Sequence, residues 1–293
     1  AALLAALLVA APALPATPAL ADQAASETVS YTADQQPELS AQAAFLLDRT
    51  TGYVLLDKNA DERHYPASMT KVMTALLVLE ATPDLDTPVT LPEEIFPALQ
   101  TEKASMAGFL PGETATVRDL LYGALLPSGA ECCETLAREV SGSEEAFVAS
   151  MNRKAAALGM ASTHFCNPTG LHDPEHVSTV RDMAVLLRAA MQNEMFRTIF
   201  ATARYTVPPT NLHPDGFTME STFWSELHGT ELRRGKFLGG KTGYTSAAGL
   251  CLASAAEVKG KTYLMVTAGA QGNHNTEPYH VDDAVNVCRQ LAR

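Results

Sequence analysis

Two pairs of apolar segments, each separated by a short polar stretch, mark the two ends of the chain. Residues 43–47 and 53–56 flank the polar residues 48–52, which end in Gly52. Residues 250–256 and 262–268 flank the charged residues 257–261, which contain Gly260. Apolar runs on both sides of a glycine-containing turn predict a β-hairpin at each place.

Helical patterns occupy most of the sequence between these hairpins. Residues 72–79 are apolar on all sides, which is typical of a buried helix. Cap residues and spacing predict further helices over 117–126, 130–140, 146–158, 179–191 and 282–291, with Thr116 as one N-cap and Ser141 and Glu144 as a capping box. The pattern of residues 201–235 predicts only loop and irregular strand.

Strands at both ends with helices between them predict an α+β fold. Its antiparallel sheet would be completed by N-terminal and C-terminal strands and interrupted by a mostly helical insertion. The chain has 293 residues, 46% hydrophobic and 18% charged, which suits a sizeable core. Its formal net charge is −12 and no basic stripe is visible, which argues against nucleic acid as a partner.

The N-terminal residues 1–21 carry no charge and end in Ala19-Leu20-Ala21. This resembles a secretory signal peptide without its basic n-region, and no other segment reaches transmembrane length. We therefore predict an exported, extracytoplasmic protein with no membrane anchor visible in this chain. The predicted division is a signal peptide over 1–21, a flexible tail over 22–40 and one folded domain over 41–293.

The five cysteines follow no zinc or redox spacing. We interpret most of them as small buried hydrophobic residues, with a cysteine nucleophile as a minor alternative. They are Cys132, Cys133, Cys166, Cys251 and Cys288.

A serine and a lysine stand three residues apart at the start of the apolar helix. Residues at that spacing share a helix face, so the Lys71 amine would lie beside the Ser68 hydroxyl. A lysine can activate a serine only if its pKa is lowered by burial or by a second cation, which Lys241 would supply. A helix cap followed by an exposed lysine would give the same pattern.

Two later segments add candidate substrate contacts. Ser128 lies in a turn between two predicted helices, where it is either held in a cleft or caps the second helix. Lys241-Thr242-Gly243 precedes a predicted strand and offers a positive charge, a hydroxyl and a close backbone approach to an anionic substrate. A surface turn is the competing interpretation of this glycine-rich segment.

Ser-x-x-Lys, Ser-Gly-x and Lys-Thr-Gly occur here in the order shared by penicillin-binding proteins and serine β-lactamases. The match continues outside the three motifs and covers about residues 41–293. The chain resembles the D-alanyl-D-alanine carboxypeptidases, the low-molecular-mass penicillin-binding proteins, in Pro66-Ala67-Ser68-Met69-Thr70-Lys71, Leu125-Leu126-Pro127-Ser128-Gly129, Asn167-Pro168-x-Gly170-Leu171, Asp182-Met183-Ala184 and Gly240-Lys241-Thr242-Gly243-Tyr244-Thr245.

The resemblance implies a β-lactamase/penicillin-binding-protein-like fold and a serine hydrolase that needs no metal or cofactor. Ser68 would attack the bond between the last two D-alanines of a peptidoglycan stem peptide, and Lys71 would take its proton. Ser128, hydrogen-bonded to both, would protonate the leaving D-alanine. Lys241 and Thr242 would bind the terminal carboxylate, beside Gly243, and the backbone N–H groups of Ser68 and Tyr244 would form the oxyanion hole. β-Lactam antibiotics would acylate Ser68.

Several alternatives remain open at this point. The family's second motif usually ends in asparagine, and Ala130 stands there, which leaves room for a non-catalytic β-lactam-binding sensor. A D,D-endopeptidase of the same fold would cleave cross-links instead. A class A β-lactamase would need a Glu-x-x-Leu-Asn loop, which the sequence lacks. A metallopeptidase is suggested only by His172 and His176, whose segment Pro174 interrupts.

Overall fold

The computed structural model describes residues 37–293. Its main sheet has five strands in the order β2-β1-β9-β8-β7, and the pairs between neighbouring strands are all antiparallel. The strands are β1 (Ala43–Asp48), β2 (Val54–Lys58), β7 (Gly235–Thr245), β8 (Gly249–Val258) and β9 (Lys261–Ala270). Strand β1 pairs with β9, so the N-terminal hairpin extends the sheet built by the C-terminal strands. The predicted α+β fold and both predicted hairpins are confirmed.

Alternate residues of β1 face two separate cores. Phe45 and Leu47 belong to a large core on one face of the sheet, whereas Ala44 and Leu46 belong to a smaller core on the other. Successive side chains of a strand point to opposite faces. This explains why the strand reads as an unbroken apolar run, since all six of its residues are buried.

Helices between β2 and β7 form the predicted insertion, and all but the last of them cover the larger core, whereas Phe223 of that last helix packs in the smaller one. A 3-10 turn (Ala67–Thr70) leads into α1 (Lys71–Ala81), and further on α3 (Val117–Leu125) and α4 (Ala130–Ser141) flank the Ser128 turn. The other helices of the insertion are α2 (Phe96–Thr101), α5 (Glu144–Ala157), α6 (Val180–Ala190), α7 (Glu194–Phe200) and α8 (Thr222–Glu226). Two small two-stranded sheets pair β3 (Pro88–Thr90) with β4 (Thr114–Thr116) and β5 (Arg204–Val207) with β6 (Phe217–Glu220). Helix α9 (Tyr279–Leu291) packs on the opposite face of the main sheet.

Two local predictions were wrong. Helix α5 is capped by Ser143, whose side chain accepts a hydrogen bond from the backbone N–H of Ala146, so Ser141 and Glu144 form no capping box. Ser141 instead ends α4, where Gly142 adopts a left-handed conformation with φ 78°. The segment 201–235, predicted as loop and irregular strand, contains the β5–β6 hairpin and also the short helix α8, which was not predicted.

The predicted signal peptide, residues 1–21, lies outside the described residues, as do residues 22–36 of the predicted tail. The described part of that tail contacts α9, because the Ser40 backbone N–H donates to the Asp283 carboxylate at 2.9 Å. Within residues 37–293, no helix combines the length and the apolar character needed to cross a bilayer.

Candidate active site

The junction between the 3-10 turn and α1 brings the predicted serine and lysine together. The Lys71 Nζ lies 3.0 Å from the Ser68 Oγ, at hydrogen-bonding distance. Ala67, which precedes the serine, has φ 47°, a left-handed conformation that is costly for a residue with a side chain. The turn therefore holds Ser68 in a strained position at the head of a buried helix.

Burial dominates the chemistry of Lys71. Its side chain is 2% exposed, and its Nζ also donates to the backbone carbonyl of Thr169 at 2.5 Å. This burial lowers the pKa of Lys71, against an opposing effect from Cys133 and Glu131. The sequence prediction assigned part of the lowering to the charge of Lys241. In the structure burial is the main cause of the lowered pKa of both lysines, and the repulsion between their two charges adds to it.

The Lys-Thr-Gly segment lies inside β7, the edge strand of the sheet, and not before a strand as predicted. Lys241 is fully buried, and its Nζ donates to the Thr242 carbonyl at 2.8 Å. The Thr242 Oγ1 lies 2.6 Å from the Thr222 Oγ1 at the start of α8. The competing interpretation as a surface turn is therefore wrong.

Strand β7 packs directly against the backbone of the serine turn at Gly243. A Cβ added at Gly243 would lie 3.1 Å from the Ser68 N and 3.2 Å from the Met69 N. Only glycine permits this approach without displacing the turn. The next residue, Tyr244, is partly buried, and its ring makes an edge contact with His274 at 4.7 Å between centroids.

Ser128 occupies the turn between α3 and α4 in a left-handed conformation, with φ 70°. The turn is held by the Gly129 N–H, which donates to the Gly123 carbonyl at 2.8 Å. The Ser128 Oγ is buried and has no hydrogen-bond partner within residues 37–293. The expected hydrogen bonds to Ser68 and Lys71 are therefore not formed in this structure. The hydroxyl is therefore free both to donate and to accept a hydrogen bond.

The first residues of α4 connect the Ser128 turn to a neighbouring loop. Ala130 is 1% exposed, and its backbone N–H donates to the Ser105 carbonyl at 2.8 Å. The Glu131 Oε1 accepts the backbone N–H groups of Ala107 at 2.6 Å and Gly108 at 3.1 Å. The sequence analysis did not identify Glu131, because its role depends on a loop more than twenty residues earlier in the chain.

The segment 167–170 was recognised only as part of the resemblance, yet it lines the site. The Asn167 Oδ1 accepts the backbone N–H groups of Thr169 and Gly170 at 3.2 and 2.7 Å. Gly170 has φ 79°, and a Cβ there would collide with the Ala67 carbonyl. This tight loop thus presents the Thr169 carbonyl to Lys71.

His176 and the cysteines fill structural positions. The His176 Nδ1 accepts the Cys166 backbone N–H at 3.1 Å, so its Nε2 carries the proton and donates to the Thr70 Oγ1 at 2.8 Å. Burial lowers the pKa of His176 to about 4, which keeps the ring neutral. His172 instead packs against the Tyr65 ring. All five cysteines are free, and burial raises the pKa of Cys133 to about 12, which disfavours a thiolate nucleophile.

Comparison with known proteins places this site in a family context. Residues 30–272 match the sequence profile of a family described as D-alanyl-D-alanine carboxypeptidase, peptidase family S11. A D-alanyl-D-alanine carboxypeptidase of a Streptomyces species, strain K15, is 34% identical over 80% of this chain and 82% of its own length. The carboxypeptidase DacF of Bacillus subtilis is 38% identical over 78% of this chain, which spans only 57% of that longer protein.

Solved structures show the same fold. The crystal structure of the Streptomyces K15 DD-transpeptidase superposes with a TM-score of 0.78 at 30% identity, covering 87% of this chain and 98% of that one. A D-alanyl-D-alanine carboxypeptidase from Mycobacterium tuberculosis superposes with a TM-score of 0.76 at 32% identity, covering 87% and 91%. The profile match spans most of the chain, and the chain belongs to the D-alanyl-D-alanine carboxypeptidase family of serine peptidases.

Proposed function

We propose that this protein is a serine D-alanyl-D-alanine carboxypeptidase that removes the terminal D-alanine from peptidoglycan stem peptides. The observation that carries the proposal is the buried Lys71 amine, 3.0 Å from the Ser68 hydroxyl. A buried amine whose pKa is lowered is available in its neutral form to accept the serine proton. Family membership supports the same reaction.

Acylation begins when the Ser68 Oγ attacks the carbonyl carbon between the two D-alanines and its proton passes to Lys71. The carbon–nitrogen bond then breaks, and the leaving amine of D-alanine takes a proton through Ser128. Backbone N–H groups of Ser68 and Tyr244 would stabilise the oxyanion, and one such donor contributes roughly 3–4 kcal/mol to lowering the barrier. Water finally hydrolyses the ester and restores the serine.

The substrate carboxylate would bind beside β7. Lys241 and Thr242 would hold it, and Gly243 would let the peptide lie close to the serine turn. Burial favours the neutral form of Lys241 in the free protein, as the lowered pKa shows. An arriving carboxylate would favour protonation of Lys241, because an opposite charge nearby stabilises the charged form.

Release of D-alanine from a diacetyl-lysyl-D-alanyl-D-alanine peptide tests this proposal. The parent protein should turn the peptide over, and Ser68→Ala should lose at least about a thousandfold in kcat. Ser225→Ala changes an exposed serine and should retain full activity. Unchanged turnover in Ser68→Ala would remove the assignment.

A cross-link-cleaving activity is the second candidate. Proteins named D-alanyl-D-alanine endopeptidase from Pseudomonas aeruginosa and Escherichia coli are 33% and 29% identical to this chain. Parallel assays on a stem pentapeptide and on a cross-linked dimer separate the two activities. A faster reaction with the dimer would favour the endopeptidase, and penicillin binding without any turnover would favour the sensor.

We also infer that the protein acts outside the cytoplasm, where peptidoglycan is found. The inference rests on the uncharged residues 1–21 and the Ala19-Leu20-Ala21 cleavage pattern. N-terminal sequencing of exported protein should begin near Asp22. An uncleaved N-terminus in the membrane fraction would indicate a tethered enzyme.

A further inference from the structure

Most arginines of this protein are paired, but one group is not. The sequence contains 13 arginines. Within residues 37–293, eight of them donate to carboxylates, carbonyls or other side-chain acceptors, namely Arg49, Arg118, Arg138, Arg153, Arg181, Arg188, Arg197 and Arg204. The side chains of the other five make no hydrogen bond or ion pair there: Arg63, Arg233, Arg234, Arg289 and Arg293.

Four of these five unpaired arginines line a single cavity. Arg233, Arg234, Arg289 and Arg293 surround a volume of about 540 Å³ together with Glu231 and Ala292. Two come from the segment before β7 and two from the end of α9, so the fold assembles the group from distant parts of the sequence. All four side chains are exposed. We name these four residues the arginine patch.

Basic residues from a third segment extend the arginine patch. The Lys259 backbone N–H donates to the Arg234 carbonyl at 2.9 Å, which places the β8–β9 turn beside the patch. That turn also carries Lys261, and Lys236 follows on β7, where it stands opposite Glu257. Seven basic residues therefore gather here near Glu231 and Glu257, and Arg289 also borders a neighbouring cavity that Glu38, Asp282 and Asp283 line. The whole chain has 21 basic and 33 acidic residues.

Helix capping explains only part of this arrangement. Cations near a helix C-terminus interact favourably with the helix dipole, which accounts for Arg289. Arg233 and Arg234 lie on a loop, and bringing four guanidinium groups around one cavity costs electrostatic free energy. The negative charges elsewhere do not offset this cost, since salt screens exposed charges beyond about 8–10 Å under ordinary conditions.

We propose that the arginine patch binds a phosphate-bearing polymer other than a nucleic acid, because no aromatic side chain of the described residues lines its cavity for bases to stack on. A guanidinium group forms bidentate hydrogen bonds with phosphate oxygens. Several such groups on one surface can pair with successive phosphates of a polymer. The described residues with large exposed hydrophobic side chains are Leu110, Leu212 and Tyr279, and none of them lines the patch. The patch therefore lacks the apolar side chains that would insert into a membrane.

The position of the arginine patch leaves the candidate active site free. Gly235 and Gly243 are eight residues apart on β7, which corresponds to about 26 Å at the usual rise of a strand. A polymer on the patch would hold the protein beside its ligand without covering Ser68. The proposal is independent of the proposed peptidase activity.

Fluorescence polarisation with a labelled linear polyphosphate tests the proposal. Arg234→Gln/Arg289→Gln removes two exposed charges and should weaken binding at least about tenfold. The slope of log affinity against log salt should also decrease by about two. Arg63→Gln is the matched control, because it removes the remaining unpaired arginine away from the patch and should leave the affinity unchanged.

Three results would overturn the proposal. The first is no salt-dependent binding of polyphosphate, and the second is equal weakening by Arg63→Gln. The third is tighter binding to phosphatidylglycerol vesicles or to polyglutamate than to polyphosphate, which would identify a membrane surface or a carboxylate polymer instead. Penicillin labelling should be the same in all these variants, so a failure here leaves the peptidase proposal unaffected.

Discussion

At the scale of single residues, the proposed role of Lys71 as a base depends on the burial of its amine, which lowers its pKa. The sequence spacing predicted that Lys71 would contact Ser68, and the distance of 3.0 Å between the Lys71 Nζ and the Ser68 Oγ confirms it. The spacing could not reveal the cause of the lowered pKa, because burial of the amine depends on the loop that carries Thr169. It also could not show that the Ser128 hydroxyl is unpaired.

Replacing Lys71 by arginine tests the role of its amine. A guanidinium group stays protonated, so Lys71→Arg should reduce the acylation rate by about 10²–10⁴-fold. In the parent protein the rate should rise with pH as Lys71 loses its proton, at a pH below the usual range for lysine. Lys103→Arg, at an exposed position, should have no effect. A pH-independent rate from mildly acidic to mildly alkaline conditions would contradict a lysine base.

At the scale of elements, the strands and helices with long apolar runs were predicted correctly, and those with short or mostly polar sequences were not. The buried strands and α1 have continuous apolar runs that identify them directly. Residues 201–235 gave only irregular strand, without the bounds or pairing of β5 and β6, because most positions of these strands are exposed or half-buried and a nine-residue connection (208–216) joins them. The start of α5 was misplaced because two serines, Ser141 and Ser143, both offered a cap.

Ser141 and Ser143 provide a matched pair of sites for measuring how much the N-cap of α5 contributes to stability. Ser143→Ala removes the acceptor of the Ala146 N–H and should lower the free energy of unfolding by about 1 kcal/mol. Ser141→Ala should change it by less than about 0.5 kcal/mol. Urea unfolding of both variants measures the difference. A larger loss of unfolding free energy in Ser141→Ala than in Ser143→Ala would support the capping box predicted from the sequence.

At the scale of the whole molecule, the candidate site is assembled from segments far apart in the chain. The 3-10 turn, the loop at Thr169 and strand β7 meet around the Lys71 amine, and Glu131 and Cys133 near the start of α4 lie close enough to affect its pKa. The motifs predicted that Ser68, Lys71 and Lys241 lie near one another, and the structure places them so. The sequence did not predict that the Thr169 carbonyl accepts from Lys71, or that Glu134 lies beside Glu144. Every residue has a backbone carbonyl, and only the packing of the fold decides which groups lie next to each other.

A carboxyl pair between α4 and α5 illustrates such packing and affects stability. Glu134 is 7% exposed and shares a hydrogen bond with Glu144, and burial raises its pKa from 4.5 to about 7. Between these two pH values the folded state holds a proton that the unfolded state has lost. Stability therefore falls as pH rises through this window, by at most about 3 kcal/mol.

Glu134→Gln should remove this dependence, because an amide does not ionise. At pH 8 the variant should unfold several degrees above the parent, and below pH 4 the two should unfold at the same temperature. Glu139→Gln, at an exposed position of the same helix, is the control and should match the parent at both pH values. A variant less stable than the parent at pH 8 would mean that the ionised carboxylate stabilises the fold.

The most direct test of the central claim is to identify the residue that a labelled penicillin modifies. The protein is incubated with the antibiotic, digested and mapped by mass spectrometry. We predict one penicilloyl ester on Ser68, and no label in Ser68→Ala, which should keep the thermal unfolding temperature of the parent. A label on another residue, or undiminished labelling of Ser68→Ala, would contradict the account.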